Sequence, residues 1–155
     1  MIHFKPSFIF FVLLIHLTNL VYAQQIHHFD TLKTNSGLVI VLKDKCQNVE
    51  SKPKIGEKIK VHYTGTFENG QKFESSYDFG NPFKFELGKK EVIPAWDEAF
   101  LYLCENQKAT LLVPSSLAYG EKGLLDPIDK SKFLIPPSST LFYEVVLVKV
   151  IRKKK

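Results

Sequence analysis

The aromatic residues of this chain are the side chains best suited to form a binding site. A single tryptophan, Trp96, follows the run Val92-Ile93-Pro94-Ala95, and further rings occur in short segments on either side of it. These rings are Tyr63, Phe73, Phe83, Phe85, Tyr119 and Tyr143. Aromatic side chains bury large areas, so they can fill a core or line a pocket for an apolar ligand. Composition alone favours a core.

Other kinds of chemistry have little support in the sequence. It contains no Gly-rich phosphate loop, no Gly-X-Ser-X-Gly and no His-Glu-X-X-His. Ser75-Ser76 and Ser115-Ser116 are typical of polar loops rather than of a nucleophile with a base. His27 and His28 are adjacent but have no further ligands beside them, so we expect no metal site and no cofactor.

The first 23 residues have the layout of a secretory signal peptide. Lys5 precedes an apolar stretch over 8–15, and small-residue chemistry follows at Val21-Tyr22-Ala23. His16 interrupts the apolar run before it reaches the roughly 20 residues of a spanning helix, which disfavours a retained membrane anchor. We therefore expect removal of residues 1–23, no stable membrane insertion afterwards, and a location in the endoplasmic reticulum lumen or outside the cell.

The remaining residues fit one globular domain. The formal net charge of the chain is +5, and a basic tail over 153–155 contributes to it. No basic stripe with interleaved aromatics accompanies that tail, so we expect no nucleic-acid partner. The only cysteines are Cys46 and Cys104, and an even count in an exported chain favours a disulfide over two free thiols or a nucleophile.

The spacing of apolar residues predicts a sheet and one helix. Residues 24–36 are polar and predict a loose arm, and 38–42 predict a first strand. Ile59, Val61 and Tyr63 alternate with polar residues, as in a half-buried strand. Asn69-Gly70 predicts a hairpin with a type I′ turn. Strands are also predicted over 109–113 and 140–151, the second with Tyr143 and Lys149 on one face.

From Pro94 onward, apolar residues recur at helical spacing through Leu103, and proline suits a first helical turn. One short helix cannot fill a domain, so the strands have to surround it. The sequence thus predicts an α+β fold dominated by an antiparallel sheet. The segment 114–137 has little periodicity, which is typical of functional or mobile loops.

From about residue 37 to residue 152, these segments occur in an order that resembles the FKBP family of macrolide-binding peptidyl-prolyl cis-trans isomerases. The shared motifs are Val61-His62-Tyr63-Thr64-Gly65, Phe73-Glu74-Ser75-Ser76, Pro82-Phe83-Lys84-Phe85, Leu87-Gly88, Glu91-Val92-Ile93 with Trp96, Leu117-Ala118-Tyr119-Gly120 and Ile135-Pro136-Pro137. The resemblance implies a curled five- to six-stranded antiparallel sheet wrapped around the helix of Trp96. It is closest to the secretory-pathway members, which implies a Cys46–Cys104 bridge.

The resemblance also implies a role for each site residue. Trp96 would form the floor of a proline pocket, with walls from Tyr63, Phe73, Phe83, Val92, Ile93 and Tyr143. Tyr119 would donate a hydrogen bond to a substrate carbonyl, and the Ile93 N–H would hold a second ligand carbonyl. Glu74 and Ile135 would complete the rim.

Such a pocket suits the isomerisation of X-Pro bonds, because a twisted amide is less polarised than a planar one and a dry apolar site favours it. The resemblance implies a monomeric isomerase that assists folding of secretory proteins, with proline-containing polypeptides and macrolide immunosuppressants as ligands. The alternative is a proline-motif binding module or chaperone with weak or no catalysis.

Three departures from the family pattern affect the rim. Glu74 replaces the usual Asp, and Phe79 stands where well-known cytosolic members carry Arg. Residues 124–133 intervene where common members have a shorter loop. This insertion either lengthens the rim and selects substrates or projects into solvent.

Overall fold

The computed structural model describes residues 30–152, which contain nine strands and one α-helix. In chain order they are β1 (Thr31–Lys33), β2 (Val39–Leu42), β3 (Lys58–Phe67), β4 (Lys72–Ser75), β5 (Phe83–Glu86), α1 (Pro94–Ala99), β6 (Lys108–Val113), β7 (Leu124–Leu125), β8 (Phe133–Ile135) and β9 (Leu141–Ile151). Residues 1–23 and 153–155, with their predicted signal and tail, lie outside the described residues. No helix within 30–152 is long and apolar enough to cross a membrane.

Seven strands form one antiparallel sheet in the order β1-β2-β6-β9-β3-β4, with β5 also paired to β3. Since β4 pairs with residues 64–66 of β3 and β5 with residues 58–61, the two share one position at the sheet edge. The sheet therefore has six positions, and the α+β architecture predicted from the sequence is confirmed. β7 and β8 pair separately as a two-stranded sheet.

The amino-terminal arm differs from its prediction. Thr31–Lys33, predicted as part of a loose arm over 24–36, form β1 and pair with β2. Leu32 packs against the core, which supplies the burial that the polar composition of the arm did not suggest. The first part of the arm, 24–29, is outside the described residues.

The hairpin between β3 and β4 is present, but its turn is of another type. A type I′ turn needs positive φ at both central residues, and only Gly70 has one, at +81°. Gly70 N–H donates to Phe67 O, and Phe67 N–H donates to Gln71 O. This pattern is typical of a three-residue loop with a left-handed glycine in a bulge.

The helix buries the predicted face but ends earlier than the apolar spacing suggests. α1 begins at Pro94 and ends at Ala99, after which Leu101 and Tyr102 donate to the carbonyls three residues before them. Phe100 and Leu103 remain fully buried on the same side. Tight turns therefore continue the buried face without continuing the helix.

The alternation of β9 also changes part-way along the strand. Lys60 pairs with Lys149 but Val61 pairs with Leu147, so Val148 is an extra residue in a β-bulge. Beyond the bulge Val150 is buried and Lys149 is exposed, contrary to the strict alternation expected from the sequence. The exposed lysine forms an ion pair with Glu105, with 2.9 Å between Nζ and Oε1.

Candidate active site

A cavity of about 170 Å³ lies where α1 faces the sheet. It is lined by Tyr63, Glu74, Phe83, Glu91, Val92, Ile93, Trp96, Tyr119 and Tyr143. A larger space of about 410 Å³ lies over the outer side of β3, β6 and β9 and is lined mainly by Thr, Lys, Glu and Val side chains. The smaller cavity gathers the aromatic residues that the sequence singles out, except Phe73 and Phe85.

The indole of Trp96 forms the floor of the cavity, and three rings stand nearly upright against it. Their centroids lie 4.7 Å from the indole for Tyr63, 5.3 Å for Tyr143 and 6.2 Å for Phe83. The interplanar angles are 76°, 79° and 71° respectively. This edge-to-face packing is favourable for aromatic pairs and leaves an open box above the floor. A small apolar ring can enter such a box.

Trp96 is 5% exposed, and its Nε1 has no hydrogen-bond partner among the described residues. A buried donor without a partner is destabilising by about 1–3 kcal/mol. The unpartnered indole N–H thus makes Trp96 costly for stability, in a way that a purely apolar side chain at this position would not be.

Hydroxyl groups connect the walls of the cavity. The Tyr63 hydroxyl donates to the Glu74 carboxylate, and a hydrogen bond joins the hydroxyls of Tyr143 and Tyr119. Burial raises the pKa of Tyr63, and the hydrogen bond to Glu74 and its charge raise it further. Burial and the nearby Tyr119 and Glu74 likewise raise the pKa of Tyr143. Both rings therefore stay neutral at physiological pH.

Tyr119 places a polar group at the cavity. Burial raises the pKa of Tyr119, the charge of Glu74 adds to this, and the hydrogen bond with Tyr143 opposes it. The same bond raises the pKa of Tyr143. The Tyr119 side chain is one of those that line the cavity.

A second donor comes from the segment that enters α1. Ile93 precedes the helix in an extended conformation, and its N–H donates no hydrogen bond within residues 30–152. The Asp97 carboxylate accepts from Gly88 N–H at 2.7 Å and from Lys90 N–H at 3.1 Å. These bonds fix the turn leading into the wall, where Lys90 has a positive φ of 59°. Asp97 is thus a positioning residue for the wall.

Ser75 and Ser76 position Tyr63. Their sequence context suggested a polar loop, and the structure differs from that expectation. Both are buried, at 3% and 2% exposure. The Ser75 hydroxyl donates to Tyr63 O at 3.0 Å, and Tyr63 N–H donates to Ser76 Oγ at 2.9 Å. The sequence signal was their place at the end of the strand that returns from the hairpin, next to the part of β3 that carries Tyr63.

Two of the residues assigned to the site by resemblance do not line the cavity. Phe73 lies behind Tyr143, with 5.7 Å between ring centroids, and packs against Phe67. Ile135 is 1% exposed and belongs to the core. Glu91, which the sequence reasoning did not single out, lines the cavity and accepts from Glu86 N–H at 3.0 Å. Its position next to Val92 and Ile93 in the sequence could have indicated that Glu91 belongs to the site.

The remaining expectations concern cysteines and metals. Cys46 and Cys104 form a disulfide with 5.5 Å between Cα atoms, as predicted. Within the described residues no group of three or more His, Cys, Asp or Glu side chains could hold a metal ion. His27 and His28 lie outside them.

Comparison with known proteins assigns this arrangement to a family, because residues 49–148 match the family described as "FKBP-type peptidyl-prolyl cis-trans isomerase". The chain belongs to the FKBP family. It is 40% identical over 116 residues to FK506-binding protein 2 of Dictyostelium discoideum, which covers 75% of this chain and 82% of the relative. It is 47% identical over 98 residues to the peptidyl-prolyl cis-trans isomerase Fkbp12 of Drosophila melanogaster, covering 63% of this chain and 84% of the relative.

Among solved structures, the FKBP chain is similar to the crystal structure of AtFKBP13. The TM-score is 0.70 at 32% sequence identity, covering 79% of this chain and 99% of that chain. The resemblance read from the sequence motifs is therefore confirmed, and the chain is a peptidyl-prolyl cis-trans isomerase of the FKBP type.

The cavity of this FKBP suits a reaction in which no covalent bond breaks. Rotation about a peptide bond loses amide resonance and has a barrier of about 18–20 kcal/mol. A twisted amide is less polar than a planar one, so a water-poor aromatic box binds the twisted state better than the ground state. X-Pro bonds are natural substrates, because their cis form costs only about 0.5–1 kcal/mol.

Proposed function

We propose that this FKBP accelerates X-Pro isomerisation in polypeptides that fold in the secretory pathway. The observation that carries the proposal is the box over Trp96, with the unused Ile93 N–H and the Tyr119 hydroxyl at its edge. The proline ring enters the box, while the Ile93 N–H and the Tyr119 O–H each hold a carbonyl oxygen of the polypeptide. Positioning of this kind lowers the barrier without a nucleophile or a metal.

The secretory location rests on two features. The layout of residues 1–23 is that of a signal peptide. Cys46 and Cys104 form a disulfide, and disulfides persist mainly in oxidising compartments. The proposed site of action is the endoplasmic reticulum lumen or the extracellular space.

We propose further that a macrolide of the FK506 type occupies the same cavity and that a single chain is sufficient. A relative from Dictyostelium discoideum carries the name FK506-binding protein 2. One chain by itself forms the aromatic floor and walls of the cavity.

A proline-limited refolding assay tests the proposal. The full chain is expressed in a secreting eukaryotic host, and the exported protein is purified and mass-mapped at its amino terminus. We expect cleavage after Ala23, acceleration of the slow refolding phase, and its loss on adding an FK506-type macrolide. A folded protein that leaves the slow phase unchanged contradicts the isomerase function. A chain that the host does not export contradicts the secretory assignment, and an exported chain that retains residues 1–23 contradicts the cleavage.

A further inference from the structure

The β7–β8 hairpin, residues 124–135 and hereafter the rim hairpin, carries an unusual number of exposed apolar side chains. These are Leu124, Leu125, Ile128, Phe133 and Leu134. Ile128 at the tip is 95% exposed and Phe133 on β8 is 48% exposed. Single exposed apolar residues are ordinary on protein surfaces, but a cluster within one short hairpin is typical of an interaction site.

The rim hairpin is held in place even though an isolated two-stranded sheet is only marginally stable in water. At its base, Gly123 packs directly on the backbone of 135–137, where a Cβ atom would lie 2.8 Å from Pro137 N. At its turn, the Asp126 carboxylate accepts from Ile128 N–H at 2.7 Å and from Asp129 N–H at 3.0 Å. Ile135 anchors β8 in the core. The apolar side chains are therefore presented from a built scaffold.

The rim hairpin is also continuous with the wall of the cavity. Tyr119 lines the cavity, and its carbonyl accepts from Gly123 N–H at 3.1 Å, one residue before β7. Gly120 O accepts from Ser138 N–H at 2.8 Å, just beyond β8. Both ends of the rim hairpin are thus fastened to the turn that carries Tyr119. A polypeptide that leaves the cavity over Tyr119 meets the rim hairpin next.

The charges of the rim hairpin favour an apolar partner. Asp126 and Asp129 balance Lys130 and Lys132, so the net charge of residues 124–135 is zero. Lys132 is paired with Asp129, with 2.9 Å between Nζ and Oδ2. Neither sign of charge is left in excess to recruit an acidic or basic segment, whereas the apolar area is unpartnered.

We propose that the rim hairpin docks an extended apolar segment of the same polypeptide whose proline occupies the cavity. The inference rests on the proposed isomerase function and names its preferred substrates: unfolded chains with apolar residues several positions from the proline. An extended chain advances about 3.3 Å per residue, so a tetrapeptide spans only roughly 13 Å. Longer clients offer more residues beyond the cavity for contact with the rim hairpin.

The test compares two substrates for the variant Ile128→Ser/Phe133→Ser. The substrates are an X-Pro tetrapeptide and a reduced, carboxymethylated protein whose refolding is limited by proline. We expect kcat/KM for the protein client to fall about three- to tenfold through a higher KM, since two apolar contacts are lost. For the tetrapeptide we expect it to change less than about twofold. The matched control is Val49→Ser, which removes an apolar side chain of 67% exposure elsewhere on the surface.

Each other outcome overturns the inference. An equal loss with both substrates places the effect in the cavity, and a loss matched by Val49→Ser makes it a general surface effect. Unchanged activity on the protein client removes the docking role. A wild-type dimer that the double variant converts to a monomer, measured by light scattering, assigns the rim hairpin to a second copy instead. Failure of the proposed function looks different, because wild-type protein would then lack tetrapeptide activity.

Discussion

At the scale of single residues, the tyrosines of the cavity have distinct tasks despite their identical chemistry. The Tyr63 hydroxyl donates to Glu74, and a hydrogen bond joins the hydroxyls of Tyr143 and Tyr119. One tyrosine thus has a carboxylate as its partner, and the other two have each other. Sequence motifs predicted that all three rings belong to one site, but the partner of each hydroxyl depends on neighbours from other strands and needed the structure.

Replacing Tyr119 by Phe removes the hydroxyl that is proposed to hold a substrate carbonyl and leaves the ring. We expect kcat/KM on a tetrapeptide to fall about three- to tenfold, the equivalent of one hydrogen bond of about 1 kcal/mol. Tyr102→Phe is the control, because Tyr102 is 39% exposed and does not line the cavity. Equal activity of the two variants would remove Tyr119 from the binding machinery.

Gly65 is a second position where the addition of a single atom, a Cβ, should change the cavity. A Cβ at this position would lie 2.5 Å from Phe73 Cζ and 2.9 Å from Tyr143 Cε1. We expect Gly65→Ala to displace both rings, reduce the free energy of unfolding by about 1–3 kcal/mol and lower kcat/KM even where the variant is fully folded. Phe73 thus acts on the cavity through Tyr143.

Gly70→Ala separates this effect from a loss of stability alone. Gly70 has a positive φ of 81° and nothing within 4 Å of an added Cβ. Its substitution strains the turn by about 1 kcal/mol but moves no ring, so kcat/KM of the folded variant should equal that of the wild type. The measurement is kcat/KM of both variants at a temperature where each is folded. If Gly65→Ala and Gly70→Ala have the same kcat/KM, Gly65 has no role in the cavity.

At the scale of elements, the spacing of apolar residues correctly predicted which face of a strand or helix is buried. It did not predict where the helix ends or where a strand is interrupted. Ile59, Val61 and Tyr63 are buried on β3 as the alternation required, and the helical face reaches Leu103. The β9 bulge and the early end of α1 were not predictable from the same pattern, because each depends on partners distant in sequence. Lys149 faces solvent and pairs with Glu105, which follows the helix. Local spacing holds no information on such pairings.

Glu105 joins the turn after α1 to the bulged part of β9. Burial alone would raise the pKa of its carboxyl, but hydrogen bonds with Lys149 and Val150 N–H and the nearby positive charges hold that pKa below its ordinary value. A lowered pKa in the folded state gives stability that is present above the ordinary Glu pKa and is lost as the pH falls through the folded value.

The expected consequence is a pH-dependent effect of Glu105→Gln. At neutral pH the variant should unfold with a free energy about 1 kcal/mol below that of the wild type, and this difference should shrink as the pH falls below about 4. Urea titrations across pH 3–7 measure it. Glu121→Gln, on an exposed turn, is the control. A difference that stays constant with pH would show that the charge of Glu105 has no part in it.

At the scale of the whole molecule, a crosslink outside the lining of the cavity joins two segments that are distant in sequence. The Cys46–Cys104 disulfide links the loop after β2 to the segment after α1 across a sequence separation of 58. Gln107 reinforces the same junction: its Oε1 accepts from Cys104 N–H at 3.0 Å, and its Nε2 donates to Asp44 O at 2.7 Å. Neither cysteine lines the cavity, so stability and catalysis are separable here.

Removal of the disulfide should therefore weaken the fold and spare the chemistry. A crosslink over this separation is expected to contribute about 4 kcal/mol through the entropy of the unfolded chain, a large share of the roughly 5–15 kcal/mol of a small domain. Cys46→Ala/Cys104→Ala should lower the urea midpoint accordingly, while kcat/KM of the folded variant on a tetrapeptide stays at the wild-type value. Reductant should reproduce this shift in the wild type and have no effect on the variant. A wild-type midpoint insensitive to reductant would mean that the crosslink does not hold the fold together, and the Gln107 junction would then be sufficient on its own.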